Sequence, residues 1–188
     1  NLTECTANDD GGGCRLGSSS SILSCTFTGN STISESNSNC GGGAYVSDNC
    51  NVQDSVFTGN RCERTQAAGQ DDLGGGAIRS DYRLSVARTS FIGNAVRIEG
   101  ASENTGSYSS DVGGGAIHST YELDIDDQCL FDGNRVNLKD LPTNVSGGGA
   151  ILYTRANVNT YFNISDATFT NNEVILEGDR AYSAVGGG

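Results

Sequence analysis

A glycine triplet recurs six times along the chain, and this repeat limits the fold more than any other feature. The triplets begin at Gly11, Gly41, Gly74, Gly113, Gly147 and Gly186. One Phe-x-x-Asn sequence lies between each triplet and the next. The five copies run Phe27 to Asn30, Phe57 to Asn60, Phe91 to Asn94, Phe131 to Asn134 and Phe169 to Asn172. Self-similarity at a period of a few tens of residues is typical of repeat folds, in which each repeat is one small structural unit.

The residues around each Phe-x-x-Asn copy alternate in polarity, as a β-strand requires. Seven and five residues before the phenylalanine, with one residue inserted in the fourth copy, stand Ser20 and Ile22, Cys50 and Val52, Leu84 and Val86, Leu123 and Ile125, and Phe162 and Ile164. Another alternating pair follows each asparagine, for example Val96 and Ile98. A third inward column after the triplet is expected to join Tyr45 to Ile78. The pattern predicts short strands and no helix.

A unit of this size cannot bury its own apolar face, so neighbouring units must stack and pair their equivalent strands in parallel. The sequence therefore predicts an all-β fold, a parallel β-helix (solenoid) of about five rungs. We expect residues 1–188 to form one such segment, as part of a longer repeat chain, with residues 1–13 as an atypical N-terminal rung or cap. Variable loops on one edge are expected at Glu63–Leu73, Glu99–Val112 and Lys139–Ser146.

Composition excludes several classes of partner. Val, Ile, Leu and Phe make up about one fifth of the chain, which argues against an ordinary globular enzyme. The formal charge is −12, with 23 acidic and 11 basic residues and no basic cluster, so we expect no nucleic-acid partner. Because no apolar run approaches the ~20 residues that span a bilayer, we expect no membrane insertion either.

Seven cysteines and four N-glycosylation sequons favour an extracellular location, either secreted or at the cell surface. The sequons begin at Asn1, Asn30, Asn144 and Asn163. Asn144 falls in a variable loop and Asn163 points outward between two inward residues, so these two are the favoured sites of N-linked glycans, followed by Asn1. Asn30 ranks last because it holds the asparagine position of the repeat.

One disulfide bridge is favoured by the repeat register. Cys40 precedes a triplet and Cys62 lies in the corresponding last segment of the next rung, so Cys40–Cys62 is the preferred bridge and Cys5–Cys14 the second. An odd count leaves at least one thiol over, with Cys129 as the candidate. There is no Cys-x-x-Cys, and the only histidine, His118, is expected to point outward beside Ile117, so no zinc site is predicted.

The motifs Gly-Gly-Ala-Ile and Phe-x-x-Asn resemble the polymorphic outer-membrane-protein repeat of chlamydial surface adhesins. The resemblance covers nearly the whole chain, from Gly11 to Gly188, and implies a right-handed parallel β-helix exposed at a cell surface. The first triplet departs from the pattern, since Cys14 follows it in place of Ala-Ile. Dense cysteines and sequons are more typical of a eukaryotic secreted glycoprotein than of a bacterial passenger domain.

The repeated asparagines are interpreted as a structural ladder, because asparagine favours tight turns and its amide can bond neighbouring backbone groups along a stack. An enzymatic alternative rests on acidic residues of the outer face. Many parallel β-helices are polysaccharide lyases or hydrolases whose carboxylates bind calcium or transfer protons. The residues that would serve are Asp54, Arg88, Asp124, Asp126, Asp127, Gln128 and Asp166. A solvated polar face, in which Arg88 offsets the neighbouring acids, is the favoured explanation, and whether Ca²⁺ binds stays open.

The leading functional hypothesis is a structural extracellular glycoprotein. In this hypothesis the chain is a β-helical segment of a cell-surface fibre, hair or sheath, with no catalytic residue, metal or cofactor, and with N-linked glycans as its only attached groups. Its partners are copies of itself or neighbouring rungs of a longer chain. The first alternative is a surface adhesin or glycan-binding module that presents the variable loops to glycans or a cell-surface receptor. The second is a lyase-like enzyme.

Overall fold

The computed structural model describes residues 1–8, 10–33, 40–67, 73–100, 110–140, 145–154 and 160–178. These residues contain 27 short β-strands and no helix. The strands recur in groups of five along the chain, and every pairing between them is parallel. This arrangement is consistent with a parallel β-helix or solenoid, as the sequence predicts. One passage through the five sheet positions is called a rung below.

Three of the sheet positions surround the main core. Sheet A contains β1 (Leu2–Thr3), β6 (Thr26–Thr28), β11 (Val56–Thr58), β16 (Ser90–Ile92), β21 (Cys129–Asp132) and β26 (Ala167–Thr170). Sheet D contains β4 (Cys14–Leu16), β9 (Ala44–Val46), β14 (Ile78–Ser80), β19 (Ile117–Ser119) and β24 (Ile151–Tyr153). Sheet E contains β5 (Ser20–Leu23), β10 (Cys50–Gln53), β15 (Leu84–Ala87), β20 (Leu123–Asp126) and β25 (Phe162–Ile164).

The other two positions enclose a second, smaller core. Sheet B contains β2 (Thr6–Asn8), β7 (Ser31–Ile33), β12 (Arg61–Ala67), β17 (Ala95–Gly100), β22 (Arg135–Lys139) and β27 (Glu173–Glu177). Position C holds the pair β3 (Asp10–Gly11) and β8 (Cys40–Gly41), and the separate three-stranded sheet β13 (Leu73–Gly74), β18 (Ser110–Gly113) and β23 (Val145–Ser146).

The predicted inward columns become in-register ladders. Phe57 pairs with Phe27 on one side and Phe91 on the other, and Val52 pairs with Val86. The inserted residue of the fourth copy lies in the bend before sheet A. Asp127 and Gln128 both have positive φ there, whereas only Arg88 does in the preceding rung. The bend therefore absorbs the insertion, and the ladders continue without a shift.

One predicted column is displaced by a residue. Ile78 pairs with Ala44, and Tyr45 pairs instead with Arg79. Tyr45 therefore belongs to the column that faces away from the main core, and the prediction that it shares the column of Ile78 was wrong. The cause is a difference in spacing. Ala44 directly follows its triplet, whereas Ala77 separates Ile78 from the triplet before it.

The glycine triplets bring two backbones into direct contact across the coil. A Cβ on Gly42 would lie 2.4 Å from the backbone nitrogen of Arg61, and a Cβ on Gly76 would lie 2.5 Å from that of Ala95. Only glycine allows this approach. The segment leading into sheet D thus presses against the start of sheet B and divides the interior. The main core is built around Phe57 and Phe91, and the second around Val96 and Leu138.

The predicted variable loops are shorter than expected. Strand β12 continues to Ala67, and Leu73 and Val112 are buried in the second core. The ends of all three predicted loops are therefore strands of sheet B and position C. The middle parts of Glu63–Leu73, Glu99–Val112 and Lys139–Ser146 lie outside the described residues.

Candidate functional site

The asparagine column forms a continuous hydrogen-bonded ladder inside the coil. Asn94 donates from Nδ2 to Asn134 Oδ1 at 3.0 Å and to the carbonyl oxygen of Phe57 at 2.9 Å. Its own Oδ1 accepts from the backbone nitrogen of Asn60 at 3.0 Å and from Asn60 Nδ2 at 2.9 Å. The same bonds recur at Asn60 and Asn134, and part of the set recurs at Asn30 and Asn172, the two ends of the column. The first four amides each join three rungs and Asn172 joins two, so the column is engaged in structural bonds along its length.

A parallel ladder of phenylalanine rings runs beside the asparagines. Adjacent rings stack with centroids 4.6 to 5.2 Å apart and planes within 12° of parallel, along Phe27, Phe57, Phe91, Phe131 and Phe169. The ring planes repeat at the spacing of parallel strands, ~4.8 Å. Packing of these aromatic side chains therefore stabilises the contacts between the rungs that contain them.

The first rung contains a degenerate copy of the repeat that sequence comparison missed. Leu2 pairs with Phe27, Glu4 has the positive φ that glycine has elsewhere, and the Cys5 backbone nitrogen donates to Asn30 Oδ1 at 3.0 Å. Cys5 thus takes the place of the asparagine. Residues 1–13 include three strands paired with the next rung, so this segment is part of the coil.

Cys40 and Cys62 form the predicted disulfide bond, which joins position C to sheet B in the second core. The predicted bridge between Cys5 and Cys14 is absent, and both cysteines are free thiols. The physical reason is their placement. Cys5 lies at the corner that begins sheet B, whereas Cys14 packs against the main core beside Cys25 and Cys50.

Three of the remaining thiols, those of Cys14, Cys50 and Cys129, are held in their protonated form. Burial, with a smaller contribution from the neighbouring Cys25 thiol, raises the pKa of Cys14 to about 11. Burial and then Cys14 raise the pKa of Cys50 to about 12. Cys129, the predicted unpaired cysteine, is free and buried, and burial raises its pKa as well. Thiols react as thiolates, so these side chains act as small apolar groups.

His118 faces away from the main core, as expected, but it is completely buried rather than exposed. Arg79 Nη1 donates to His118 Nδ1 at 2.6 Å, and Thr154 Oγ1 lies 3.2 Å from Nε2. Desolvation by burial, followed by repulsion from Arg79, holds the pKa of His118 well below 6.5. Arg79 in turn bonds Asp81 at 2.8 Å, and Tyr45 donates to the same carboxylate. The imidazole is therefore a neutral structural group.

Four acidic residues of the outer face, Asp54, Asp124, Asp126 and Asp127, accept hydrogen bonds from neighbouring side chains. Arg88 donates from Nε to Asp54 Oδ1 at 2.7 Å and from Nη1 to Asp127 Oδ2. The bond to Arg88 lowers the pKa of the Asp54 carboxyl group, and the same bonds raise the pKa of the guanidinium. Asp126 accepts from Ser165 at 2.7 Å, a bond that lowers its pKa. A guanidinium held between two carboxylates is poorly suited to act as a base.

Three of the four sequon asparagines lie in described residues. Asn1 is exposed, and Asn163 is half-buried with Nδ2 donating to Asp124 Oδ1 at 3.0 Å. Asn30 is fully buried in the ladder, where its amide cannot receive a glycan without breaking the column. Asn144 lies outside the described residues.

Two kinds of feature are absent from the described ranges. No three His, Cys, Asp or Glu side chains there are grouped so as to hold a metal ion. Nor does that part of the chain contain a helix long and apolar enough to cross a membrane.

Comparison with known proteins found no matching protein-family model, no significantly similar curated protein and no significantly similar solved structure. The class of the molecule is therefore defined by its own geometry, a stack of parallel sheets consistent with a β-helix or solenoid. The resemblance to polymorphic outer-membrane-protein repeats stays a prediction.

Proposed function

We propose that the chain is a structural extracellular glycoprotein, a right-handed parallel β-helical segment of about five rungs that builds a cell-surface fibre, hair or sheath. The observation that carries the proposal is the asparagine ladder. Five buried amides, each able both to donate and to accept hydrogen bonds, bond rung to rung. The most regular polar residue of the repeat thus forms its hydrogen bonds along the axis of the stack. This arrangement favours a role in extending a rod.

The edges of the described sheets support growth along the axis. Strands β25, β26 and β27 are the last in their sheets and pair on one side only within the described chain. Beside them the main core opens into a cavity of about 360 Å³ lined by Ile151, Tyr153, Phe162, Ile164 and Phe169. Unpaired strand edges next to apolar side chains add further strands readily. The added rung belongs either to a longer chain or to a second copy.

Disulfide bonding supports the extracellular part of the proposal. The Cys40–Cys62 bond is of the kind that persists in oxidising compartments. With exposed Asn1 and half-buried Asn163 as sequon asparagines, we propose secretion with N-linked glycosylation, Asn1 being the more accessible of the two.

Sedimentation velocity tests axial assembly of the purified chain. Ile164 pairs with Ile125 in the inward column, whereas Ser165 lies next to it on the exposed surface. We expect the wild-type chain to form larger species as its concentration rises and Ile164→Lys to stay monomeric. The matched control, Ser165→Lys, should assemble as the wild type does. A wild-type chain that stays monomeric at every concentration, or equal assembly by both variants, would contradict end-to-end addition.

The two alternatives receive less support. The adhesin hypothesis rests on loops whose middle parts lie outside the described residues. The lyase hypothesis needs clustered carboxylates beside a base, and Arg88, the cation among them, is bonded to both Asp54 and Asp127. We therefore propose a non-catalytic role, with no step of chemistry assigned to these side chains.

A further inference from the structure

The corner between sheets D and E changes character halfway along the coil. The register of sheet E also aligns the residues that lie one and two positions before each of its strands, and these residues form two columns. The outer column contains Ser18, Asp48, Tyr82, Tyr121 and Thr160, and the next contains Ser19, Asn49, Arg83, Glu122 and Tyr161. Small polar residues thus occupy the first two rungs, and tyrosine begins abruptly at the third.

Tyr82 forms a step in the outer column, because its ring is larger than the side chain of Asp48 in the preceding rung. One face of its ring stacks on Tyr121, with centroids 4.7 Å apart and planes 5° from parallel. The other face is directed toward the shorter side chains of the preceding rung and makes no ring contact with any described residue. Although one face is covered, 43% of Tyr82 is exposed. A ladder ring that served packing alone would be buried, as Phe27, Phe57, Phe91 and Phe131 are.

A polar groove lies beside this step. Arg83, which follows Tyr82, lines a surface cavity of about 350 Å³ together with Ser19, Asn49, Asn51 and Ser85. This volume is at the lower end of the usual range for small-molecule sites, about 300–1,000 Å³. The groove offers amide, hydroxyl and guanidinium groups to a ligand. Its one cation, Arg83, lies 3.6 Å from the carboxylate of Glu122. Because Asp48 adds a second carboxylate to the outer column, the corner carries no net positive charge.

We propose that this corner is a binding site for a neutral oligosaccharide. A pyranose ring has an apolar C–H face and a rim of hydroxyl groups. The open face of Tyr82 suits the C–H face of the sugar, because an aromatic ring gives a large rigid apolar contact. The hydroxyl groups of the sugar find hydrogen-bond partners in Asn49, Asn51 and Arg83. The chain's charge of −12 repels polyanionic glycans, so an uncharged sugar chain is the ligand class that fits.

The site does not depend on the proposed fibre, since it lies on the side of the coil and needs no second copy. It also differs from the glycan-binding alternative that the sequence suggests, because it uses none of the variable loops. A fibre built from such rungs would present one of these sites for each copy of the chain.

Nuclear magnetic resonance titration with cellohexaose and chitohexaose tests the proposal, with an oligogalacturonate as the charged comparison. We expect amide shifts confined to Ser19, Asn49, Asn51, Tyr82 and Arg83 for a neutral hexaose. Tyr82→Ala should weaken its binding about tenfold, the loss of one aromatic contact, while Tyr82→Phe keeps it. Tyr161→Ala is the matched control, an exposed tyrosine two rungs from the groove, and should bind normally.

Three results would overturn the assignment. They are the absence of shifts at the corner with both neutral hexaoses, binding of the oligogalacturonate alone, and equal affinity in Tyr82→Ala and the wild type. The thermal midpoint of Tyr82→Ala serves as the folding check. If this variant does not fold, Asn49→Ala takes its place, and unchanged affinity in Asn49→Ala would then contradict the proposal.

Discussion

Individual residues of the repeat have roles that their chemistry explains. Asparagine stands where one side chain must both donate to and accept from its neighbours along the axis. Glycine stands where two backbones touch. Positive-φ positions are filled by Gly29, Gly59, Gly93 and Gly133 in four copies of Phe-x-x-Asn, and by Asn171 in the fifth. Asparagine is the residue that tolerates this conformation best after glycine, so the substitution keeps the turn.

Removing one amide from the ladder should be costly. Asn94→Ala leaves the backbone nitrogen and Nδ2 of Asn60 without the oxygen that accepts from both. An unsatisfied buried donor costs about 1–3 kcal/mol, so we expect a loss of about 3 kcal/mol or more in the free energy of unfolding, measured with urea. Asn137→Ala, on the outer face of sheet B, is the control and should change stability little. Equal effects of the two substitutions would refute a stabilising ladder.

Glycines at backbone contacts and glycines in positive-φ turns should respond differently to substitution by alanine. A Cβ on Gly76 would lie 2.1 Å from the carbonyl oxygen of Gly115, so Gly76→Ala should prevent folding. Gly93 has a φ of +60° but open space around it, so Gly93→Ala should cost only about 1–2 kcal/mol. Circular dichroism and urea unfolding distinguish the two outcomes. A folded Gly76→Ala protein of near wild-type stability would show that the backbones do not meet at this point.

Burial of His118 predicts acid sensitivity. Its pKa is depressed in the folded state, so below about 6.5 the unfolded chain binds a proton that the folded chain does not. His118 therefore leaves the free energy of unfolding unchanged above that pH and lowers it as the pH decreases further. The urea midpoint should drop between about pH 7.5 and pH 5 in the wild type, and less in His118→Gln.

The chain has one histidine, so its proton resonances report this titration directly. They should keep their neutral-form positions well below pH 6.5. An ordinary titration near pH 6.5, or the same pH dependence in His118→Gln, would contradict a buried neutral imidazole.

At the scale of the strand, register was the easiest property to derive and burial the hardest. The Phe-x-x-Asn spacing correctly aligned sheets A, B and E, because each copy carries its own marker residue. Sheet D was misaligned at Tyr45, since triplets do not reveal which glycine meets sheet B. His118 and Arg79 were hidden because alternation identifies the face of a strand but not what covers that face. Tyr82 and Tyr121 had a usable signal, their common position two residues before Leu84 and Leu123.

The disulfide bond ties together the two sheets of the second core. Its loop has a sequence separation of 22 residues, and constraining the unfolded chain by a loop of this size stabilises the fold by about 3 kcal/mol. The double variant Cys40→Ala/Cys62→Ala should lose about this much in urea unfolding. Cys25→Ala, which removes a free thiol, serves as the control. A double variant as stable as the control would show that the bond does not hold these sheets together.

For the whole molecule, rung-to-rung contact accounts for the fold. The phenylalanine stack, the asparagine ladder and the parallel strands all act along the same axis, whereas the glycine contacts and the disulfide act across it. Sequence alone sufficed for this architecture because the repeat is periodic. It did not indicate two cores, since the close approach of glycine to sheet B joins segments far apart within one rung.

Electron cryomicroscopy of the native material, as isolated from its source, tests the central claim most directly. The account predicts fibres in which parallel strands repeat every ~4.8 Å along the fibre axis, with glycan density on their sides. Isolated short particles, or fibres whose strands run along the axis instead of across it, would contradict it.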